Sequence, residues 1–279
     1  MTNTAIYEGR ICVITGAASG IGRALAVKLG AAGAAIAISD VNEEGLAETA
    51  RLAGGENSNR ILVDTLNVAD ADAIIAYAVH VEKALGPADY VFNVAGLTRV
   101  GRFDVTPLSS MEKIIDVNFW GVVRMSKAFL DQLKQTKGGL VNISSIFGII
   151  GFEGQTHYCA SKFAVRGFSE TLAQEMQEHG VRVSSVHPGG VATNIARNAE
   201  IDALPADVKS KEAMNKSFDE MAITSAEDAA QVILDGTAKG KRRILIGKDA
   251  KLVALVQRLF PVKYPKILAK LTGMKTLNT

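Results

Sequence analysis

The chain has 279 residues, of which 48% are hydrophobic and 22% charged, and its formal net charge is +2. This composition is typical of a globular protein with a sizeable core, and the presence of only two cysteines excludes a disulfide-rich secreted scaffold. No apolar run approaches the ~18 residues of a membrane-spanning helix, and the first ten residues lack the apolar core of a signal peptide. We therefore expect a cytoplasmic protein.

Short apolar runs alternate with amphipathic segments along the chain. The runs predict seven strands, at 10–14, 34–39, 61–63, 90–92, 139–143, 181–186 and 243–246. Helices are predicted at 21–32, after a cap at Asn42, at 69–85, as one or two helices within 107–136, at 158–178 and after a cap at Ser225. This alternation implies a single α/β domain whose parallel strands are joined by right-handed crossovers.

Three glycines, Gly16, Gly20 and Gly22, stand where the first predicted strand passes into the first helix. In a dinucleotide site one such glycine makes the turn, a second lets the backbone approach the pyrophosphate, and a third packs helix on strand. The helix N-terminus then faces the anion. The strand–turn–helix context therefore favours dinucleotide binding over an ordinary tight turn.

Asp40 ends the second predicted strand, 18 residues after Gly22. A carboxylate at this point can bind the ribose hydroxyls of adenosine and repel a 2′-phosphate. No Lys or Arg occurs in the next ten residues to hold such a phosphate. The pattern favours NAD over NADP, the alternative being that Asp40 is a cap or a surface charge.

Tyr158 and Lys162 are four residues apart on a predicted helix, so their side chains share one face. A phenol titrates near ~10 in water, which is too high for proton exchange at neutral pH. An ammonium at ~4 Å, with an effective dielectric of ~20, favours the phenolate by about 4 kcal/mol, or about 3 pKa units. We expect this pair to donate and accept protons near neutrality.

These features are accompanied, in one order along the chain, by Asn-Val-Ala-Gly at 93–96, Asn118, Ser145 and Pro-Gly-x-Val-x-Thr at 188–193. Together the motifs resemble the short-chain dehydrogenase/reductase family over about residues 8–247. A Tyr-x-x-x-Lys motif alone is weak, but its position 13 residues after Ser145 makes the pattern specific. Val94 departs from the second asparagine that is usual in this family. The resemblance implies a Rossmann-like doubly wound sheet of about seven strands over residues 1–247, with a substrate loop at 194–224.

The resemblance also implies catalytic roles. Tyr158 would be the general acid and base, and Lys162 would lower its pKa and hold the nicotinamide ribose. Ser145 would hydrogen-bond the reacting oxygen. Asn118 would hold a water in a proton relay that reaches Lys162.

The cofactor contacts implied by the resemblance fall into three groups. The pyrophosphate group is Gly16, Ser19, Gly20, Ile21 and Gly22; the adenosine group is Asp40, Asn93, Ala95 and Gly96; the nicotinamide group is Pro188, Gly189, Val191 and Thr193, with Tyr158 and Lys162. An aspartate that usually contacts adenine is replaced by Asn67, or corresponds to Asp64 in a shifted register.

The implied reaction is the NAD-dependent interconversion of a secondary alcohol and a ketone. Segments 97–100, 146–153 and 194–224, the last with Met214, Phe218 and Met221, are mostly apolar and favour a hydrophobic substrate. Arg99 and Arg102 leave a carboxylated substrate open. The family commonly pairs helices between subunits, so we expect a homodimer or homotetramer. No His or Cys spacing indicates a metal site, and no basic module indicates nucleic acid.

Two other functions are compatible with the fold. A catalytically silent NAD-binding regulatory protein usually loses the Tyr or the Lys, whereas this chain keeps the whole Asn-Ser-Tyr-Lys set. A sugar-nucleotide epimerase or dehydratase also uses Tyr-x-x-x-Lys, but with a glycine spacing that is absent here.

Residues 248–279 form a basic C-terminal extension. Ten basic residues and one acidic residue lie beyond Gly240, and Leu252, Leu255, Val256, Leu259 and Phe260 make an apolar stripe. We favour packing of this stripe on the domain or on a neighbouring subunit. The alternative is a basic amphipathic segment that contacts an anionic membrane.

Overall fold

The computed structural model describes residues 4–54, 60–193, 195, 199–203 and 210–272. Seven strands form one fully parallel sheet in the spatial order β3-β2-β1-β4-β6-β7-β9, and β5 pairs with β8 in a separate parallel pair. The strands are β1 (Ile11–Thr15), β2 (Ala35–Asp40), β3 (Ile61–Thr65), β4 (Tyr90–Asn93), β5 (Arg99–Val100), β6 (Gly139–Ile143), β7 (Arg182–Pro188), β8 (Glu200–Ile201) and β9 (Arg243–Ile246).

Eleven α-helices lie within the described ranges. They are α1 (Gly20–Ala31), α2 (Glu43–Ala53), α3 (Ala71–Leu85), α4 (Leu108–Ile115), α5 (Gly121–Ala128), α6 (Leu130–Thr136), α7 (Thr156–Glu175), α8 (Lys211–Met221), α9 (Ala226–Ala238), α10 (Lys248–Leu259) and α11 (Tyr264–Thr272). A π-helical turn, Asp116–Trp120, joins α4 to α5, and short 3₁₀ turns occur at Thr4–Tyr7 and Ile146–Gly148.

The seven predicted strands of the main sheet are confirmed, each within two residues at either end. The predicted caps form as well, because the side chain of Asn42 accepts the amide of Gly45 and that of Ser225 accepts the amide of Asp228. The helix expected from residue 69 begins at Ala71, since Asp70 occupies the N-cap position. Strands β5 and β8 were not predicted.

The main sheet is covered on both faces. One apolar cluster joins the sheet to α1, α2 and α9, and a second joins its other face to α3, α5, α6 and α7. Parallel strands buried on both sides need apolar residues at consecutive positions, which explains the unbroken apolar runs in the sequence. The structure is therefore a single Rossmann-like α/β domain, as predicted.

The strand order reverses at β1, because β2 lies on one side of it and β4 on the other. In open α/β sheets the crevice for a ligand forms at such a reversal, beyond the carboxyl ends of the strands. The glycine turn at residues 16–22 begins at that edge, and so do the loop after β4 and the segments after β6 and β7. The topology thus brings the predicted motifs together.

The C-terminal extension forms α10 and α11. Val253 and Val256 of α10 and Leu268 of α11 are buried in a small cluster with Ile149 and Ile150 of the loop after β6. The predicted apolar stripe is therefore only partly packed, because all three of its leucines lie on the opposite, exposed face of α10. Among the described helices, none combines the length and apolar character needed to cross a bilayer.

Candidate active site

Tyr158 and Lys162 lie one turn apart near the start of α7, and both side chains are buried. The Lys162 Nζ atom lies 5.6 Å from the centre of the Tyr158 ring and donates a hydrogen bond of 3.0 Å to the carbonyl oxygen of Ile143, the last residue of β6. The structure thus brings the two predicted catalytic residues together and fixes the ammonium against the end of a central strand.

The titration of this pair differs from the expectation. Burial raises the pKa of Tyr158 to about 12, although a hydrogen bond with Ser145 opposes the shift, and burial lowers the pKa of Lys162 to about 8. The expected lowering of the phenol pKa by the ammonium is therefore wrong for the protein alone. The cost of burying the charged phenolate exceeds the stabilisation that the Lys162 ammonium offers, because the hydrogen bond of this ammonium goes to a backbone carbonyl.

Ser145 follows β6 and precedes a short 3₁₀ turn, where its hydroxyl oxygen accepts the amide of Phe147 at 3.1 Å. Its carbonyl oxygen lies 3.0 Å from Nδ1 of the fully buried His187, whose Nε2 lies 2.9 Å from the Ser185 hydroxyl. Burial lowers the pKa of His187 to about 4, so the ring is neutral and Nδ1–H donates to Ser145.

His187, which no sequence motif marks, holds the backbone of the predicted catalytic serine. The sequence gives no local signal for this contact, because the hydrogen bond between His187 and Ser145 joins residues 42 apart and forms only when β7 pairs with β6.

Asn118 is completely buried in the π-helical turn between α4 and α5. Its side chain accepts the amide of Leu97 at 2.9 Å, donates to the carbonyl of Leu97 at 2.9 Å and reaches the Ser161 hydroxyl at 3.2 Å. A Cβ atom at Gly96 would lie 3.2 Å from the Asn118 Oδ1 atom and 3.5 Å from the Lys162 Nζ atom. The asparagine is therefore beside the lysine, with its amide committed to the loop after β4.

The glycine turn has the backbone that its sequence requires. Gly16 has a φ of +68° and Gly20 a φ of +53°, which other residues rarely adopt, and a Cβ atom at Gly22 would overlap the carbonyl of Gly16. Ser19 occupies the N-cap position of α1 without capping it, and Ile21 packs on the core. These residues leave the N-terminus of α1 open toward the crevice.

Asp40 ends β2 beside this turn. Its two carboxylate oxygens accept the amides of Ala18 and Asn42, each at 3.1 Å. A carboxylate offers about four acceptor positions, so two remain for hydroxyl groups. Arg23, which the sequence analysis did not consider, donates to the carbonyls of Ala18 and Gly45, and its cationic group is thus engaged by the protein backbone.

The loop after β4 is held by Thr15, whose hydroxyl accepts the amides of Val94 and Ala95 at 3.1 and 3.2 Å. Asn93 is buried and donates to the Asn142 side chain at 2.8 Å, while its own Oδ1 has no partner. Val94 packs against the core, which accommodates the departure from the usual asparagine.

Asn67 lies just beyond the carboxyl end of β3, where its side chain accepts the amide of Ala69 at 3.0 Å. Asp64 lies within β3, and its carboxylate is 3.1 Å from Nδ1 of His80 on α3. Of the two candidates for the adenine contact, Asn67 lies at the carboxyl edge of the sheet and Asp64 lies within the strand, and the contact itself stays a prediction.

Pro188 ends β7, and the segment after it is fixed from two sides. The amide of Gly190 donates to the Asp249 carboxylate of α10 at 2.7 Å, and Val191 bridges to Thr224. A Cβ atom at Gly189 would overlap that same carboxylate. Thr193 reaches the glycine turn, because its Cγ2 atom would lie 3.1 Å from a Cβ atom at Gly20.

A second set of contacts lies near Tyr158. Arg99 of β5 forms ion pairs with Glu200 of β8 and with Asp202, whose carboxylate is 2.6 Å from the Arg99 Nε atom. Hydrogen bonds from Arg99 hold the pKa of Asp202 below its usual value. His157, which precedes Tyr158 in the chain, has its Nε2 atom 2.9 Å from the carbonyl oxygen of Arg99.

Parts of the predicted substrate loop, at 194, 196–198 and 204–209, and the side chain of Met221 lie outside the described residues. In the part of the chain that is described, no three His, Cys, Asp or Glu side chains gather as a metal site requires.

The sequence profile of the short chain dehydrogenase family matches residues 10–204. This chain belongs to the short-chain dehydrogenase family. The enzymes of this family are oxidoreductases, and the recognition from motifs is confirmed.

Relatives of this short-chain dehydrogenase extend the match beyond the profile. It is 44% identical over 267 residues to the provisionally named oxidoreductase SadH of Mycobacterium tuberculosis, covering 94% of this chain and 95% of SadH. It is 34% identical over 228 residues to the 3-oxoacyl-[acyl-carrier-protein] reductase FabG of Thermotoga maritima, covering 81% and 89%. A short-chain dehydrogenase of Burkholderia phymatum, solved in complex with NAD, superposes with a TM-score of 0.81 at 26% identity and covers 91% and 94%.

Proposed function

We propose that this short-chain dehydrogenase is a cytoplasmic, NAD-dependent enzyme that interconverts a secondary alcohol and a ketone. The observation that carries the proposal is the meeting of Tyr158, Lys162, Ser145 and Asn118 beside the glycine turn at the carboxyl edge of the sheet. A regulatory protein without catalysis has no need of a buried phenol and a buried amine at the mouth of a coenzyme crevice.

The crevice has the features that a dinucleotide requires. Gly16 and Gly20 keep side chains away from the turn, the N-terminus of α1 is open, and Asp40 retains acceptor capacity for ribose hydroxyls. The relative from B. phymatum was solved with NAD, which supports the same coenzyme here. A bound nicotinamide coenzyme supplies or accepts the hydride.

The directions of the two pKa shifts indicate a neutral phenol beside a charged amine at neutral pH. With a pKa of about 12 the Tyr158 phenol is protonated, and with a pKa of about 8 the Lys162 amine is mostly charged. In ketone reduction the phenol gives its proton to the carbonyl oxygen as hydride reaches the carbonyl carbon. Lys162 then stabilises the phenolate that remains, and the Ser145 hydroxyl orients the oxygen.

An apolar substrate is favoured by the side chains around Tyr158. Its ring packs edge-on against Phe147 at 6.1 Å between centres, and Phe147 stacks on Phe152 at 4.9 Å. Arg99 pairs with Asp202, and Arg102 with Asp104, so each arginine that left a carboxylated substrate open already has a protein carboxylate as its partner. The name of FabG, a ketoacyl reductase, supports a ketone bearing an apolar chain.

The experiment is a panel of carbonyl compounds, assayed by oxidation of NADH. We expect aryl, terpenoid, steroid or fatty ketones to be reduced with kcat/KM values at least about tenfold above those of small polyol-derived ketones. Fastest turnover of the polar group would contradict the apolar substrate. Coenzyme binding with no turnover of any compound would contradict the catalytic proposal and favour the regulatory alternative.

The coenzyme preference is tested by Asp40→Ala. Loss of the carboxylate removes both the acceptor for ribose hydroxyls and the repulsion of a 2′-phosphate. We expect the ratio of kcat/KM for NAD to that for NADP to fall by about 10- to 100-fold, equivalent to about 1.4–2.8 kcal/mol. Glu44→Ala, which removes an exposed carboxylate nearby on α2, is the matched control and should leave the ratio unchanged. An unaltered ratio in Asp40→Ala would mean that another group selects the coenzyme.

Exposed apolar side chains support a homo-oligomer. Leu108 of α4, Trp120 of the π-helical turn and Phe163 of α7 are 69%, 48% and 42% exposed. Helices that expose side chains of this size suit a symmetric contact with a second copy, the arrangement common in this family.

A further inference from the structure

The C-terminal hairpin, defined here as α10, the connection 260–263 and α11, presents one packed face and one exposed face. Val253, Val256 and Leu268 are buried against the domain, and Tyr264 fixes α11 by accepting the amide of Gly151 at 2.9 Å. The hairpin is thus a firmly attached part of the structure whose outer surface is defined.

The outer surface is strongly apolar. Leu252, Leu255 and Leu259 follow the i, i+3, i+7 spacing of a single helical face and are 42%, 54% and 60% exposed. Beyond them, at the tip between the helices, Phe260 is 46% and Val262 87% exposed. These five exposed side chains lie along α10 and at the tip that follows it, and together we call them the apolar ridge.

Cationic side chains lie next to the apolar ridge. All basic residues of the hairpin are exposed: Lys248, Lys251, Arg258, Lys263, Lys266 and Lys270. On the helical wheel, Lys251 and Arg258 lie on one flank of the three leucines, and Lys248 lies among them. The one acidic residue, Asp249, points inward to the amide of Gly190 and so does not offset the outward positive charge.

We propose that the C-terminal hairpin binds peripherally to an anionic lipid bilayer, with the apolar ridge inserted at the interface and the neighbouring cations on the headgroups. A basic helix with an apolar face has the form of interfacial membrane-binding segments, and each cation near an anionic surface adds to the affinity. The alternative occupant is the same hairpin of a second copy, but that contact would place two sets of six cations against each other. Charge complementarity therefore favours the lipid.

The apolar surface of α3 provides an internal comparison. Ile75 and Val79 are 59% and 61% exposed, yet Glu82 and Asp131 lie beside them in one shallow depression. An apolar patch bordered by carboxylates is repelled by anionic lipid. Val79→Glu therefore makes the same type of change at a helical surface that we expect not to contact a bilayer.

The test is co-sedimentation of the full chain with vesicles of phosphatidylglycerol and phosphatidylcholine, or of phosphatidylcholine alone. We expect binding to the anionic vesicles that weakens with added salt, and much less binding to the neutral ones. The double variant Leu255→Glu/Leu259→Glu should lower the partition constant by about tenfold or more. Lys251→Glu/Arg258→Glu should lower it by at least about fivefold per residue. Val79→Glu should match the wild type.

Thermal unfolding of each variant establishes that it is folded, and this readout does not depend on enzymatic turnover. Equal pelleting of the wild type and the leucine double variant would overturn the proposal. Absence of binding to anionic vesicles would also overturn it. If, in that case, the leucine double variant sedimented as a smaller species than the wild type in analytical ultracentrifugation, the apolar ridge would be a subunit contact.

Discussion

Tyr158→Phe is expected to reduce kcat for carbonyl reduction by about 10²- to 10⁴-fold, the range attributed to a general acid. The substitution removes one oxygen and retains the ring that packs against Phe147. Coenzyme binding, measured by titration of NADH fluorescence, should remain measurable, because only the Tyr158 hydroxyl among the expected contacts is lost and the glycine turn and Asp40 are untouched. The measurement is kcat and KM for both proteins with the best substrate of the carbonyl panel.

A second tyrosine supplies the control for this loss. Tyr7 is fully buried away from the crevice, and its hydroxyl donates to the carbonyl of Leu234 at 2.9 Å. Tyr7→Phe should cost about 1 kcal/mol of stability through the lost hydrogen bond and leave kcat unchanged. Full activity of Tyr158→Phe would remove Tyr158 from the mechanism. A comparable loss in Tyr7→Phe would show that the assay responds to instability.

Lys162→Met is expected to abolish turnover and yet to stabilise the fold. Burial lowers the pKa of Lys162 to about 8 from 10.5, so the charged amine opposes folding at pH 7. Methionine fills similar space without that charge, although the carbonyl of Ile143 loses its donor. Relative to the wild type, Lys162→Met should gain about 2 kcal/mol in the free energy of unfolding at pH 7, measured by urea denaturation.

The pH dependence of the free energy of unfolding tests independently whether the charge of Lys162 destabilises the fold. Between pH 8 and 10.5 the unfolded chain keeps the Lys162 proton that the folded protein has released. The wild type therefore gains stability as pH rises through this window, and Lys162→Met lacks that gain, so the two curves converge. Lys127→Met, at an exposed position on α5, should show neither effect. A Lys162→Met protein less stable than the wild type at every pH would contradict the argument.

The main sheet was predictable because its strands are buried on both faces, which leaves apolar runs ending at glycine or a polar residue. The turn at Gly16 and the caps Asn42 and Ser225 are local signals, and each is realised where it was expected. Strands β5 and β8 could not be predicted, since two residues carry no periodicity.

The site was predictable to the extent that its motifs are local. His187 and the pairing of Arg99 with Asp202 were not foreseen, because the latter joins residues 103 apart and depends on where the chain returns. The pKa of Tyr158 was predicted in the wrong direction from one neighbour, whereas desolvation sums over every group that surrounds the phenol. The roles of Tyr158, Lys162, Ser145 and Asn118 come from the resemblance to the family, and kinetic measurements must test them.

The carboxylate that joins α10 to Gly190 has a practical consequence for protein engineering. A shortened version ending after β9 would leave that amide without its acceptor and would open Ile149 and Ile150 to solvent. Such a trimmed protein would be a poor reagent for crystallisation or immobilisation.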